Sequence, residues 1–168
     1  MIREREIAWL KQKYRISATI WNEQRKRKIE MLDNIHITKH GTISRDIVLD
    51  RITIASILCG ADDTMVLANL MIDTGANITV VRPDIIEKFA KEAGIVTYGI
   101  SEKGTTDKVT CRLRLENEII IDGCEVHAMD LEAFDVIGID GVIGMDIIQA
   151  GDLHVFRKDG FPHFEFTL

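Results

Sequence analysis

Cys59, Cys111 and Cys124 are the only cysteines in 168 residues, and no two of them stand in Cys-x-x-Cys spacing. An odd count without that spacing argues against a disulfide framework and a zinc knuckle, and fits a reducing, cytoplasmic compartment. No apolar run reaches the length of a membrane span. The N-terminus is charged from Arg3 onward and has no apolar core, so a secretion signal is not expected. Aromatics make up only 6% of the chain. Ile and Val dominate the apolar set instead, which leans toward strands. Residues 2 to 32 lack both Gly and Pro, the two residues that break helices.

That first stretch is rich in helix formers. Ile7, Leu10, Tyr14 and Trp21 fall on one face, but Gln24 and Lys28 take the next equivalent positions, so the stripe predicts an amphipathic helix rather than a sustained coiled coil. Charge is unevenly placed as well. The chain carries a formal net charge of −6, yet residues 1 to 32 hold nine Lys/Arg against four Asp/Glu. The remainder is strongly acidic, which argues against nucleic-acid binding by the main domain. The run Arg25-Lys26-Arg27-Lys28 reads as a solvated helix face, with an acidic partner as the sharper alternative. The domain plan is a helical N-terminal extension over 1–40 and a β-rich domain over 41–168.

Beyond His40-Gly41 the pattern turns to short strands. Asp46 to Cys59 is β-rich, Gly60-Ala61-Asp62-Asp63 is turn chemistry, and Thr64 to Ile72 is the next strand. Arg82-Pro83-Asp84 opens a helix whose apolar face is Ile85, Ile86, Phe89 and Ala93, with Gly94 ending it. Ile95 to Ile100, a polar tip at 101–106 and Val109 to Leu115 make a hairpin. Asp122-Gly123 predicts a second hairpin turn between Glu118–Ile121 and Cys124–Met129. A short helix is expected after Gly144. A last hairpin turns at Asp159-Gly160, with Phe164, Phe166 and Leu168 alternating onto one face.

The chemistry-bearing feature is Asp73-Thr74-Gly75. It lies between Leu70-Met71-Ile72 and Ile78-Thr79-Val80-Val81. A carboxylate in such a place is costly to bury, and Gly two residues on permits a tight turn. Strand, acid turn, strand presents a carboxylate at the mouth of a β-structure. By itself the tripeptide is as compatible with a turn-capping Asp. Other candidates are weaker. The run from Gly138 to Gly144 fails the spacing of both phosphate-loop motifs. His36 and His40 have helical metal spacing, but β-branched residues separate them and no third ligand is evident, so they read as solvated histidines. His127, His154 and His163 are isolated strand residues. No Ser stands in a nucleophile elbow. Asp146 reads as a helix-start residue. No metal and no cofactor is expected.

About seventy residues after the acid turn comes Gly141-Val142-Ile143-Gly144-Met145-Asp146-Ile147-Ile148. Leu70 to Asn77, a hairpin with a polar tip, this apolar-apolar-Gly segment and a terminal strand occur in one order. Over roughly residues 45 to 168 that order resembles the retropepsin-like aspartic proteases, and the stretch to Leu153 looks closest to bacterial or phage single-domain members. The resemblance implies a mainly β fold: an acid-protease β-barrel with one or two short helices, beside the N-terminal α-helical extension. It implies an aspartic endopeptidase acting as a homodimer on a protein or peptide substrate. Asp73 would be the catalytic acid, one per subunit. Thr74 would tie the two acid loops together, and Gly75 would keep the substrate backbone close. Ala76 and Asn77 would line the cleft. Gly99, Ile100, Ser101 and Gly104 would belong to a flap over the substrate. Val142 and Ile143 would pack beneath the acid turn and border the substrate, and the strand from Phe164 to Leu168 would join a terminal dimer sheet. Retroviral members usually have a second acid where Asn77 stands, and a flap with more glycine and less charge than Glu102 and Lys103 give here. The alternatives are a catalytically silent dimerisation or peptide-binding module of the same fold, and a targeting protein working through its basic helix.

Overall fold

Strands β3 (Thr53–Cys59) and β4 (Met65–Ile72) show why this chain folds as sheet: their residues alternate between core and surface along most of their length. Ile54, Ser56 and Leu58 point inward from β3, and Val66, Ala68, Leu70 and Ile72 from β4. A period of two over seven or eight residues leaves one apolar face to bury. The computed structural model describes residues 34–48, 51–90, 92–98, 103–131 and 138–168, with only the backbone described over 92–98 and 103–105. The helix expected over 2–32 lies outside them.

In chain order the elements are β1 (His36–Lys39), β2 (Thr42–Asp46), β3, β4, β5 (Val80–Val81), α1 (Pro83–Ile86), β6 (Glu92–Tyr98), β7 (Lys103–Leu115), a 3₁₀ turn (Glu116–Glu118), β8 (Ile120–Ala128), β9 (Gly141–Ile143), α2 (Met145–Ile148), β10 (Asp152–Lys158) and β11 (Phe161–Thr167). One sheet runs β1-β8-β5-β9-β4-β3-β7-β6, and β7 also pairs with β8. That extra pairing closes β8, β5, β9, β4, β3 and β7 into a six-stranded barrel, with β1 and β6 as added edges. β1 lies N-terminal of His40-Gly41, and its His36, like His40, is exposed. A second sheet, β10-β11-β2, contributes Phe164, Phe166 and Ile43 to the same core as the barrel.

Three local expectations are corrected. The helix after Arg82 is a single turn, Pro83–Ile86, and Gly94 does not cap it but lies in β6, beside a register irregularity between Glu92 and Ile95. Ile85 and Ile86 are buried within that turn and Phe89 just after it, and pairing with β7 then claims the residues from Glu92. Asp122-Gly123 is not a hairpin turn. It is a bulge inside β8, where Cys111 pairs with Cys124 and Leu113 with Ile121, so β8 spends one extra residue. Gly123 has φ +74° there, and a Cβ on it would meet the carbonyl oxygen of Asn34 at 2.0 Å. The reversal between β7 and β8 falls instead at Asn117 and Glu118, both at positive φ. The last hairpin stands as expected, turning at Asp159-Gly160 with Phe164, Phe166 and Leu168 buried.

Arg45 on β2 joins the two sheets. Its guanidinium bonds Glu116 at 2.6 Å and the Thr53 carbonyl, and sits 5.7 Å from the ring centre of Phe164. Glu116 also accepts the Ala55 backbone N–H at 2.7 Å.

Candidate active site

β4 ends at Ile72 and the chain turns through Asp73-Thr74-Gly75 before reaching β5. The turn is closed by the Ala76 N–H donating to the Asp73 carbonyl at 3.1 Å. The Gly75 N–H donates to Asp73 Oδ1 at 2.7 Å, which fixes the orientation of the carboxyl group. A Cβ on Gly75 would stand 3.1 Å from that oxygen, so a side chain here would crowd the carboxylate. Asp73 is half-buried, and Thr74 and Gly75 are exposed. The acid is thus held from behind and open in front.

What holds it is the segment from β9 into α2. β9 lies parallel to β4 and antiparallel to β5, with Ile72 opposite Ile143 and Val80 opposite Val142. The Asp73 N–H donates to the Ile143 carbonyl at 3.1 Å, the Met145 N–H to Ala76 at 2.8 Å and the Asp146 N–H to Asn77 at 3.2 Å. The acid turn therefore lies laced against the Gly144 corner. A Cβ on Gly144 would come within 2.5 Å of the Ile78 carbonyl carbon and oxygen, and one on Gly141 within 2.4 Å of the Val80 carbonyl oxygen. Both glycines are there to let two backbones touch.

Beneath the turn lies a buried polar knot. Thr79 is fully buried and Asp146 is 4% exposed. Asp146 Oδ2 accepts the Thr79 N–H at 2.8 Å, and Oδ1 accepts the Thr79 hydroxyl at 2.8 Å and the Ile147 N–H at 2.9 Å. The same hydroxyl accepts the Gly144 N–H at 3.1 Å. Burial pushes the Asp146 carboxyl above the usual carboxylate range, against the pull of those donors. Asp146 is the structural polar residue expected at the helix start. Thr79 went unremarked, although a lone Thr in the apolar run Ile78-Thr79-Val80-Val81 was the available signal.

The other candidates are placed as follows. Ala76 packs with Met71 and Ile78 against buried Val80, Leu131 and Val142, an apolar wall beside the acid turn. Asn77 is exposed. Ile143 points into the main core, so it meets the acid turn through its carbonyl. Gly104 lies in β7 opposite Thr97. Gly99, Ile100 and Ser101 lie outside the described residues. His127, on β8 opposite Val80, is 2% exposed, and its Nδ1 has no hydrogen-bond partner among the described residues. Burial pushes its pKa down.

Nucleophilic chemistry elsewhere finds little support. Burial pushes the Cys111 thiol up to about 12 and raises Cys124 as well, which removes the reactive thiolate form. Ser44, His163 and Asp46 form a chain, Oγ to Nε2 at 2.9 Å and Nδ1 to Oδ1 at 2.8 Å, but on a sheet face where the Ser44 hydroxyl also donates to Glu165 at 3.2 Å. It fastens β2 to β11. Among the described residues, no cluster of three or more His, Cys, Asp or Glu is arranged to hold a metal ion, and no helix is long and apolar enough to cross a membrane.

No protein family and no curated protein sequence matches the chain. Solved structures do. A retropepsin-like aspartic protease from Rickettsia conorii aligns over 79% of this chain and 95% of its own, with a TM-score of 0.50 and 13% identity. EIAV protease, in complex with the inhibitor HBY-793, covers 61% of this chain and 89% of its own, at 19% identity and a TM-score of 0.44. At such identities the likeness is one of fold, and it rests on the first of the two. The chain has the retropepsin-like fold, mainly β around a six-stranded barrel.

Proposed function

We propose that this protein is an aspartic endopeptidase that works as a homodimer, with Asp73 of each chain supplying half of a carboxylate pair. The observation that carries the reading is the setting of Asp73. Its carboxyl is pinned by the Gly75 N–H at 2.7 Å, its backbone is bonded to Ile143, and it is left half open at a barrel mouth. A carboxylate used only to cap a turn would not need a parallel strand, two close-contact glycines and a buried Thr–Asp knot behind it.

Peptide hydrolysis needs a base to activate water and an acid to protonate the carbonyl oxygen or the leaving amine. One carboxyl group cannot do both at once. Two at about 3 Å cannot both ionise, so they share a proton and divide the roles. Their titration then belongs to the pair. Activity is expected from mildly acid toward neutral pH. In this arrangement exposed Thr74 faces its copy and ties the two acid turns. Ala76 and Asn77 border the substrate, with buried Val142 and the backbone of Ile143 behind them, and a flap about residues 99–104 would cover it. The basic run Arg25-Lys26-Arg27-Lys28 would offer a contact to an acidic partner.

The test is mass-spectrometric profiling of a mixed peptide library with wild type and Asp73→Asn at mildly acid pH. Cuts present in wild type and lost in the variant support the reading. Cuts that persist in the variant refute it. A dimer that makes no cuts points to a silent binding module of the same fold.

A further inference from the structure

The first half of β4 has a free edge. β9 covers one side of Leu70–Ile72 only, and among the described residues no strand lies on that side of Met65–Ala68. Hydrogen bonding fixes which groups this edge presents. β3 and β4 pair without a register shift. The Gly60 N–H donates to the Thr64 carbonyl and the Ile72 N–H to the Ile52 carbonyl, each at 2.8 Å. Both bonds join directly opposite residues, and bonded and non-bonded pairs alternate along an antiparallel ladder. Val66, Ala68 and Leu70 are therefore bonded to β3, while Met65, Leu67, Asn69 and Met71 turn their N–H and C=O groups the other way. Asn69 bears this out: its N–H donates to Asp140 Oδ2 at 2.8 Å and its carbonyl accepts the Asp140 N–H at 2.9 Å. The corresponding groups of Met65 and Leu67 have no partner among the described residues.

The side chains on this edge are apolar and open. Met65 is 64% exposed and Leu67 73%. Beside them on the same outer face, Cys59 stands opposite Met65 and Ile57 opposite Leu67, both half-buried. Natural proteins blunt a free edge with charge, proline or a cover, and the two outward residues here carry neither charge nor proline. Where the edge begins, Asp62 and Asp63 are both exposed, and neither is paired with a cation among the described residues. Asp62 Oδ1 accepts the Thr64 N–H at 3.1 Å and Asp63 has φ 63°, so both belong to the turn that launches β4. Alternating N–H and C=O groups are met best by another extended backbone. The two carboxylates ask for cations beside it.

We propose that the free edge of β4 docks an extended segment of a partner protein, apolar at alternate positions and basic at its end. The segment adds to the barrel as a strand, on the line that β9 occupies further along β4. It bonds the outward N–H and C=O groups of Met65 and Leu67. Its side chains opposite those two residues widen the apolar face made with Cys59 and Ile57, and its basic residues reach Asp62 and Asp63. The chain beyond residue 32 is strongly acidic, which makes a second copy the poorer occupant. Docking here is independent of whether Asp73 cuts peptides.

Fluorescence anisotropy with the labelled peptide Lys-Lys-Val-Thr-Val-Lys-Lys, which has the same pattern in either direction, tests this on the full chain carrying Asp73→Asn, so that cleavage cannot interfere. The peptide should bind, and Leu67→Pro should weaken binding about tenfold or more, because it removes an outward N–H and leaves the bonds to β3 in place. Leu67→Lys sets like charge against the peptide and should weaken it about threefold or more. Asp62→Asn with Asp63→Asn keeps an acceptor for the Thr64 N–H and should have a similar effect. That pair should leave the affinity for Ser-Ser-Val-Thr-Val-Ser-Ser within about twofold, since this peptide has no charge to match. The lysine and asparagine variants lie at exposed positions, so they can be read even if the proline variant does not fold. No binding of the lysine peptide, binding indifferent to all these changes, or an equal loss for both peptides in the asparagine variant would overturn the proposal. Self-association that sedimentation finds lost in Leu67→Lys would put a second copy on this edge and overturn it as well.

Discussion

Replacing Thr79 with valine removes one hydroxyl and keeps the shape of the side chain. That hydroxyl works twice, donating to Asp146 Oδ1 at 2.8 Å and accepting from the Gly144 N–H at 3.1 Å, in a site with no solvent access. The variant therefore loses a bond to a carboxyl group and strands a buried backbone donor. Hydrogen bonds to charged groups contribute about 1.5–3 kcal/mol and an unsatisfied buried group costs about 1–3, so Thr79→Val should lose about 3–5 kcal/mol. Thr79→Ser keeps both bonds and loses one methyl, about 1 kcal/mol. Urea melts at one fixed protein concentration, so that dimerisation is held constant, give the comparison directly. With m about 2 kcal/mol/M, the valine midpoint should fall about 2 M below wild type and the serine midpoint about 0.5 M. A valine variant within about 1 kcal/mol of the serine variant would refute the claim that this knot supports the acid turn. The serine variant should keep peptide cleavage close to wild type.

Gly144→Ala drives a Cβ to 2.5 Å from the Ile78 backbone, where nothing flexible can yield; a loss of about 3 kcal/mol or more in the same melts is expected. His127→Leu should change the acid limb of stability. The folded pKa of His127 is depressed by burial, so as pH falls the unfolded chain takes up the proton first. Stability from the neutral imidazole is present above the unfolded value, about 6.5, and is lost as pH falls through the folded one. Between neutral pH and about pH 5 wild type should lose more stability than His127→Leu, and equal losses would refute that assignment.

Much of the site was legible because it is local. Asp73-Thr74-Gly75 is a turn between two apolar strands, and the glycine-bearing segment from 141 to 148 is a strand followed by a helical turn, each recognisable from neighbours in sequence. The closing hairpin was legible for the same reason. What escaped depends on partners distant in the chain. Asp122-Gly123 carries a strong turn signal, but Ile121 and Cys124 both reach the core only if the strand bulges between them, and β7 decides that. Ala90 to Ala93 favours helix by propensity, yet β7 offers Glu92–Tyr98 a ladder and the helix ends after one turn. The knot of Thr79 and Asp146 joins residues 67 apart in sequence, and no local pattern shows that they meet.

The central claim is that two copies of Asp73 act as one site. Wild type and Asp73→Asn, mixed at constant total concentration and allowed to exchange subunits, test it most directly. If the pair is the catalyst, only dimers with two wild-type chains cut, so activity follows the square of the wild-type fraction, about one quarter at equal mixing. Activity that falls in simple proportion to the wild-type fraction, with mixed dimers shown to form, would mean that each chain carries a complete site and would contradict the shared-carboxylate mechanism.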